Sequence, residues 1–520
     1  MSKKVLISGL FSISFIMHSV AFAGPVKRNP SSVERPPQFV LLAFDGSSSL
    51  EMWKETVSFA KTVKTMNTRN EKTTAKLTYF VNPVYYTESQ YKDAYRTPIL
   101  DRPYSCIKWA SPAGSVLERV ILTNNAFENG HEIGSHANSH CSADGSDESA
   151  LRGKTWSEEN WTSEFNQFND LLFNALSINH IKPPADFVMK FKKENIVGFR
   201  APSLATTPGL WPTLKKFGFK YDTSRSDKST YWPQKLSWGG WNLPLATIKV
   251  ARAGGTKTTF SMDYNWFVLQ TGAASLTTAE KCKNDPDFSS NKWCKAGTYI
   301  TDQKLADMKN QMLDSYKYYF KQNYFGSRAP VQIGHHFARW NGGAYWTAFK
   351  EFALEVCNKP EVKCVTMNEY VNWLDGLAAT ELAAYRAGQF TKLPNDNSIQ
   401  DISDVVVPIA KVEFNSDSFK AVLSKQDQLL ANSMNMKKQL SIDFKPVTGD
   451  SIKFSDLKKY SVNSDSILVR ASVINRKGTE ISWETYKVKN AGTPEQEISK
   501  FSVEHGATQP ETAEAHNIEQ

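Results

Sequence analysis

Phe39-Val40-Leu41-Leu42-Ala43-Phe44 is an unbroken apolar run that stops at Asp45-Gly46. A strand with one wet face alternates apolar and polar residues. A strand without polar positions is buried on both faces, as in parallel sheets covered by helices. The same pattern recurs outward from this run. A helical stretch extends from Leu50 to about Lys64, and Lys76-Leu77-Thr78-Tyr79-Phe80-Val81 reads as a second strand. Amphipathic segments at 114–129 and 161–178 precede the short strand candidates Glu132-Ile133-Gly134 and Ile196-Val197-Gly198-Phe199. Pro208 to Gly218 reads as a helix before Phe219-Lys220-Tyr221, and 304–325 as one before Val331-Gln332-Ile333-Gly334. Helices alternating with short buried strands predict an α/β fold with a largely parallel sheet. In parallel barrels the C-terminal strand ends carry the site.

The 520 residues allow about three domains, or one large barrel plus a smaller unit. A composition 40% apolar and 22% charged is globular. The net charge of +9 is spread thinly, with no dense basic run to form a nucleic-acid face. Residues 1–23 read as a secretory signal peptide: Lys3 and Lys4, an apolar stretch from Val5 to Phe22, and Ala21-Phe22-Ala23 before Gly24. No later apolar run reaches the ~20 residues that span a bilayer, so a periplasmic or secreted chain is expected. In such a compartment the six cysteines read as disulfides. Proximity favours Cys282–Cys294 and Cys357–Cys364, leaving Cys106–Cys141.

All six cysteines and 13 of the 14 tryptophans precede residue 377, which marks a domain boundary. The first unit covers 36–376, and 377–400 reads as a helix and linker. Residues 401–500 carry short alternations such as Ile467-Leu468-Val469-Arg470-Ala471-Ser472-Val473, which suit an antiparallel β-rich domain. Residues 501–520 contain Glu504, Glu511, Glu514 and Glu519 and no Lys or Arg, the composition of a disordered acidic tail.

Five constellations stand at or near the expected strand ends. Asp45 can be a general base, a metal ligand or an N-cap, although Ser47-Ser48-Ser49 compete for capping. His136 and His140, in Gly130-His131-Glu132-Ile133-Gly134-Ser135-His136-Ala137-Asn138-Ser139-His140, are four apart. On one helical turn they could share a divalent ion. His131 reads as structural. Arg200, in Gly198-Phe199-Arg200-Ala201-Pro202, can clamp a carboxylate through its planar fork. Asp222 closes Tyr221-Asp222 and can also start a turn. Of the adjacent His335 and His336, at most one faces the site, because successive strand residues point to opposite faces.

Together these residues resemble the polysaccharide deacetylase family, carbohydrate esterase family four, in its chitin deacetylase-like branch. The motifs run in the family's order across 36–376, and residues 401–520 lie outside the resemblance. It implies a distorted (β/α) barrel holding one divalent ion, usually zinc, on two His and an Asp. The ion activates water, a carboxylate takes the water's proton, and a His protonates the leaving amine. By this resemblance His136 and His140 are the metal histidines and Asp45 the general base. Arg200 orients that base, Asp222 supports the catalytic His, and His336 is that His, with His335 as the other choice.

One departure stands out. Where the family carries a second consecutive Asp that binds metal, this chain has Gly46. Asp45 could coordinate instead, or Asp144 or Asp147 from a nearby loop could fill the gap. Otherwise the barrel binds sugar without catalysis. Trp232, Trp238, Trp241, Trp266, Trp340 and Trp346 fall in expected loops, where aromatic faces can stack on sugar rings. Trp238 and Trp340 are the substrate-binding candidates. The implied activity is hydrolysis of N-acetyl groups on a polysaccharide: chitin-like, peptidoglycan or exopolysaccharide. The alternative is a catalytically altered carbohydrate-binding barrel.

Overall fold

The hydrophobic run Phe39–Phe44 becomes the second strand of a nine-stranded sheet, between Val331–His336 and Leu77–Val81. The computed structural model describes residues 33–500, apart from 113, 147–149, 252–256, 274–275, 277, 285–291, 296, 298, 396–407, 434, 461–465, 475, 477 and 479. The expected signal peptide, the distal part of the 377–400 linker and the acidic tail lie outside the described residues.

The sheet strands are β1 (Gln38–Asp45), β2 (Leu77–Val81), β3 (Glu132–Ser135), β4 (Gly198–Phe199), β5 (Tyr221–Asp222), β6 (Gln234–Lys235), β7 (Trp241–Asn242), β8 (Val331–His336) and β9 (Val362–Cys364). Their order is β8-β1-β2-β3-β4-β5-β7-β6, with β9 pairing the first residues of β1. Every pairing is parallel except β6 with β7. A short sheet of Ser226–Lys228, Leu245–Lys249 and Thr258–Phe260 meets β8 through a parallel bridge from Met262 to Gly334. The result is the expected α/β distorted barrel.

Helices α1 (Leu50–Thr62), α2 (Ser115–Glu128), α3 (Glu158–Phe173), α4 (Leu210–Lys216), α5 (Asp263–Thr271), α6 (Asp302–Gln322), α7 (Trp340–Val356), α8 (Met367–Asp375) and α9 (Ala379–Arg386) cover it. Period two divides β1 between two cores. Val40, Leu42 and Phe44 pack with Trp53, Tyr316 and Phe349 in one. Phe39, Leu41 and Ala43 pack with Phe80, Tyr221 and Trp241 in the other. The helix expected beside the linker, α9, belongs to the barrel instead. Its Leu382 and Tyr385 are buried in the second core, and Tyr385 stacks on Trp232 at 5.7 Å.

The β-rich C-terminal domain is present as expected. Ala410–Phe414, Ser418–Leu423 and Ser451–Lys453 form one antiparallel sheet. A second contains Lys437–Ile442, Ser466–Ile474, Glu480–Lys489 and Glu497–Lys500. Their inner faces share a core that includes Phe419, Leu440 and Val469. No helix among the described residues is long and apolar enough to cross a membrane.

The three disulfides pair as expected: Cys106–Cys141, Cys282–Cys294 and Cys357–Cys364, separated by 35, 12 and 7 positions. Chain-entropy arithmetic makes the longest loop the most valuable. Cys106→Ser/Cys141→Ser is expected to cost about 4 kcal/mol of stability, against about 2.5 kcal/mol for Cys357→Ser/Cys364→Ser. Urea denaturation of the two double variants checks the order.

Candidate functional site

Register brings Asp45 and His336 together. In the parallel pairing of β1 with β8, Asp45 stands opposite His336 and Phe44 opposite His335. Directly opposed residues share a face. Asp45 and His336 therefore sit on one face at the C-terminal strand ends. His335 turns to the other, against Phe349 (4.7 Å between rings) and Tyr316 Oη (3.3 Å). Of the two histidines, His336 is the one that shares a face with Asp45. Asp45 is not consumed as a cap either, because the Ser49 side chain accepts from Met52 N and caps α1.

Arg200 Nη1 donates to Asp45 Oδ1 at 2.6 Å, and neither side chain is more than 2% exposed. Arg200 Nη2 donates to Thr223 Oγ1 at 3.1 Å. With its amide turned to satisfy its neighbours, Gln332 accepts from Arg200 Nη2 at 3.0 Å and from Thr223 Oγ1 at 2.6 Å. The guanidinium lies 4.7 Å from the centre of the Phe80 ring. Gly334 makes room for this arrangement. A Cβ there would stand 2.8 Å from Met262 Cε and 3.4 Å from Arg200 Nη1. Burial pushes the Asp45 carboxyl above its ordinary range, although Arg200 and His336 pull it down.

His336 is held by Asp263, the first residue of α5. Its Nδ1 lies 2.7 Å from Asp263 Oδ1, and its backbone N–H donates to Asp263 Oδ2 at 2.9 Å. Burial works to raise Asp263, but His335 and His336 together outweigh it and hold the carboxyl below its usual range. An imidazole whose Nδ1 proton is committed to a carboxylate presents Nε2 for proton exchange.

This corrects the role expected of Asp222. Its Oδ1 accepts from Ser224 Oγ at 2.5 Å and its Oδ2 from Ser224 N at 3.2 Å. Ser224 Oγ accepts in turn from Ala201 N at 2.8 Å. Asp222 thus braces the loop that carries Arg200, and burial pushes its carboxyl up to about 6. Asp263 was missed because it opens a helix in Met262-Asp263-Tyr264-Asn265-Trp266, away from every expected strand end. The Met262–Gly334 bridge that carries it to His336 is a long-range contact with no local signal.

His136 and His140 do converge, with ring centres 4.9 Å apart. They do so on an irregular loop rather than the expected helical turn, and Ala137 and His140 adopt φ of +53°. Burial drives His136 down to about 3, so it is neutral. Its Nδ1 lies 2.7 Å from the Arg200 carbonyl oxygen and must donate to it, which leaves the Nε2 lone pair free for a ligand. Glu164 holds the loop from below by accepting from Asn138 N at 2.7 Å and from Tyr95 Oη at 2.9 Å. His131 is structural, as expected: its Nδ1 accepts from Leu77 N at 3.0 Å.

The expected ion lacks a third ligand. Among the described residues no group of three His, Cys, Asp or Glu side chains converges to hold a metal. Asp45 is engaged by Arg200. Asp144 is exposed and folded onto Ser146 N at 3.0 Å, and Asp147 lies outside the described residues. Gly46 has φ of +93°, a conformation side-chain-bearing residues rarely adopt. Two imidazoles do not make the closed shell of a tight zinc site. The residues present therefore do not fit the group.

The two tryptophan candidates differ from expectation as well. Trp238 is buried, with its ring folded over Gly240, and offers no open face. Trp340 does border the site, its ring 5.3 Å from that of His336, but Phe267 stacks on it at 5.2 Å. Trp232, Trp241, Trp266 and Trp346 are likewise buried.

No family model matches the chain, and no curated protein matches it. Solved structures do. The three that follow are 15% identical or less, with TM-scores of 0.35 or below. A Mycobacterium smegmatis protein described as a polysaccharide deacetylase is 15% identical with a TM-score of 0.35, over 70% of this chain and 98% of that one. A family 4 carbohydrate esterase from Streptomyces lividans, solved with acetate, is 10% identical with a TM-score of 0.27, over 61% of this chain and 88% of that one. The α-amylase AmyC from Thermotoga maritima is 10% identical with a TM-score of 0.34, over 66% of this chain and 75% of that one.

Arg200→Met leaves the Asp45 carboxylate buried without its cation and is expected to cost about 3–5 kcal/mol at pH 7. Losing the cation raises Asp45 further above its unfolded-state value. The deficit should therefore shrink as pH falls from 8 to 5, because the folded chain takes up the proton. Urea denaturation of both chains across that range checks sign and size. Burial pushes Glu164 up to about 7 in the folded chain. Its contribution to stability is thus full at low pH and lost as pH rises towards 7. Glu164→Gln should remove about one proton from the slope of stability against pH between 5 and 7, measured the same way.

Proposed function

We propose that this chain is an exported hydrolase that removes N-acetyl groups from a polysaccharide such as a chitin-like chain, peptidoglycan or an exopolysaccharide. The observation that carries the reading is the pairing across one strand ladder of Asp45, anchored by Arg200, with His336, anchored by Asp263. Asp45 accepts the proton of the water that attacks the acetamide carbonyl carbon. His336 gives a proton to the nitrogen as the C–N bond breaks, so acetate and a free amine leave. Asp263 stabilises the imidazolium from which that proton departs. The three disulfides and the leader-like pattern at residues 1–23 support export. No step is assigned to a metal, because the ligand set is incomplete.

That incompleteness favours one second reading, a barrel that binds the polysaccharide without turning it over. Acetate release from N-acetylated polysaccharides, with and without added zinc, separates the two. Release by the intact chain is expected, with His336→Ala and Asp45→Asn each lowering kcat/KM by about 10²–10⁴-fold. Elemental analysis after desalting should find well under one equivalent of zinc. Saturable binding without release in any metal condition would overturn the hydrolase in favour of the binding barrel. Release unchanged in both variants would overturn the assigned roles.

A further inference from the structure

The strand Ser466–Ile474 keeps Arg470 and Ser472 as deeply buried as its apolar positions. Arg470 reaches the barrel. Arg470 Nη2 donates to the backbone carbonyl of Gln270. That carbonyl belongs to the last turn of α5, where no partner exists within the helix. A cation there also opposes the helix dipole, as Asp263 does at the other end.

The guanidinium is held from its own side too. Its Nε donates to Thr485 Oγ1 at 2.9 Å, and its Nη1 pairs with Glu480 at 3.3 Å. Glu480 accepts from Ser472 Oγ at 2.9 Å and faces Lys304 of α6 at 3.5 Å. The Phe444 and Trp483 rings lie 4.6 and 5.3 Å from the guanidinium carbon. An apolar seam of Leu468 with Leu276, Ile300 and Met308 continues the contact.

Gln270 is also a junction inside the barrel. Its Nε2 donates to Gln311 Oε1, and its Oε1 accepts from Tyr345 Oη, both at 2.9 Å. Asn341 Nδ2 donates to Tyr345 Oη at 2.9 Å. Asn341 follows Trp340, the ring beside His336. Both elements that flank His336, α5 and the start of α7, are thus tied at the residue that Arg470 grips.

We infer that the C-terminal β-domain is a working part of the site: Arg470 clamps the far end of α5 and so fixes Asp263 on the proton donor His336. The inference rests on the hydrolase reading for its catalytic consequence and on geometry alone for the clamp. Nine helical residues make a rigid lever about 13 Å long. A displacement of about 1 Å at such a lever's end is enough to lower turnover by up to about 10²-fold. Arg470 is a positioning residue, for it touches neither His336 nor the space in front of it.

The test uses the full chain carrying Arg470→Met or Arg470→Lys. Hydrogen–deuterium exchange is followed separately in α5 and in the strands Ala410–Phe414 and Ser418–Leu423. The low-field Nδ1 proton resonance of His336 is assigned against His336→Gln. In Arg470→Met, the two strands should stay protected while α5 exchanges about tenfold faster or more. The His336 Nδ1 resonance should broaden as that proton meets water. Arg470→Lys keeps the charge with a poorer fork and should fall between, and it carries the test alone if the Met variant does not fold. On acetate release, kcat should fall about 10–100-fold with KM unchanged. Unchanged α5 exchange and an unchanged Nδ1 resonance in either folded variant would overturn the clamp. A wild-type chain that releases no acetate would sink the hydrolase reading, while exchange and resonance would still decide the clamp.

Discussion

A guanidinium without exposed surface must be paid for by its neighbours, and Arg200 is the point around which this barrel is arranged. Its fork is spent on Asp45, Thr223 and Gln332, which lie on or directly after three different strands. Its backbone carbonyl receives His136, so one residue holds both the Asp45 carboxylate and the His136 imidazole. Asp222 braces the same loop through Ser224 and Ala201. Buried charge of this kind contributes little net stability when complete and costs much when broken. Its value lies in permitting one arrangement of five strand ends.

The second organising constraint is strand register. A one-residue slip between β1 and β8 would set Asp45 opposite the wrong face and put His335 in place of His336. The slip is opposed by the two cores, which separate the odd from the even residues of β1. Packing far from the strand ends therefore decides which histidine shares a face with Asp45. Gly334 contributes by having no side chain where Met262 and Arg200 pass.

Much of this was legible in the chain. Unbroken apolar runs such as Phe39–Phe44 announced buried parallel strands, and the polar residues after them supplied Asp45, Arg200 and His336. The disulfides followed from sequence proximity. What could not be read came from contacts without local pattern. Asp263 opens a helix and reaches His336 only through a bridge between separate sheets. Asp222 has the strand-end position expected of that role, but its carboxyl is captured two residues on by Ser224. The histidine spacing of four suggested a helical turn, whereas left-handed residues at Ala137 and His140 fold a loop. Tryptophans expected to be open were buried because loop sequence alone does not tell which loops the sheet covers. Arg470 sat in an alternating strand whose polar face would ordinarily meet water.

The grip of Arg470 on Gln270 joins positions 200 residues apart. A chain threaded through a membrane from its N-terminus would complete every barrel strand before Arg470 emerges. Until then the carbonyl end of α5 faces solvent. On the hydrolase reading proposed above, the site would be folded but slack until the final domain docks. On that reading, completion of the chain would itself act as the checkpoint on activity.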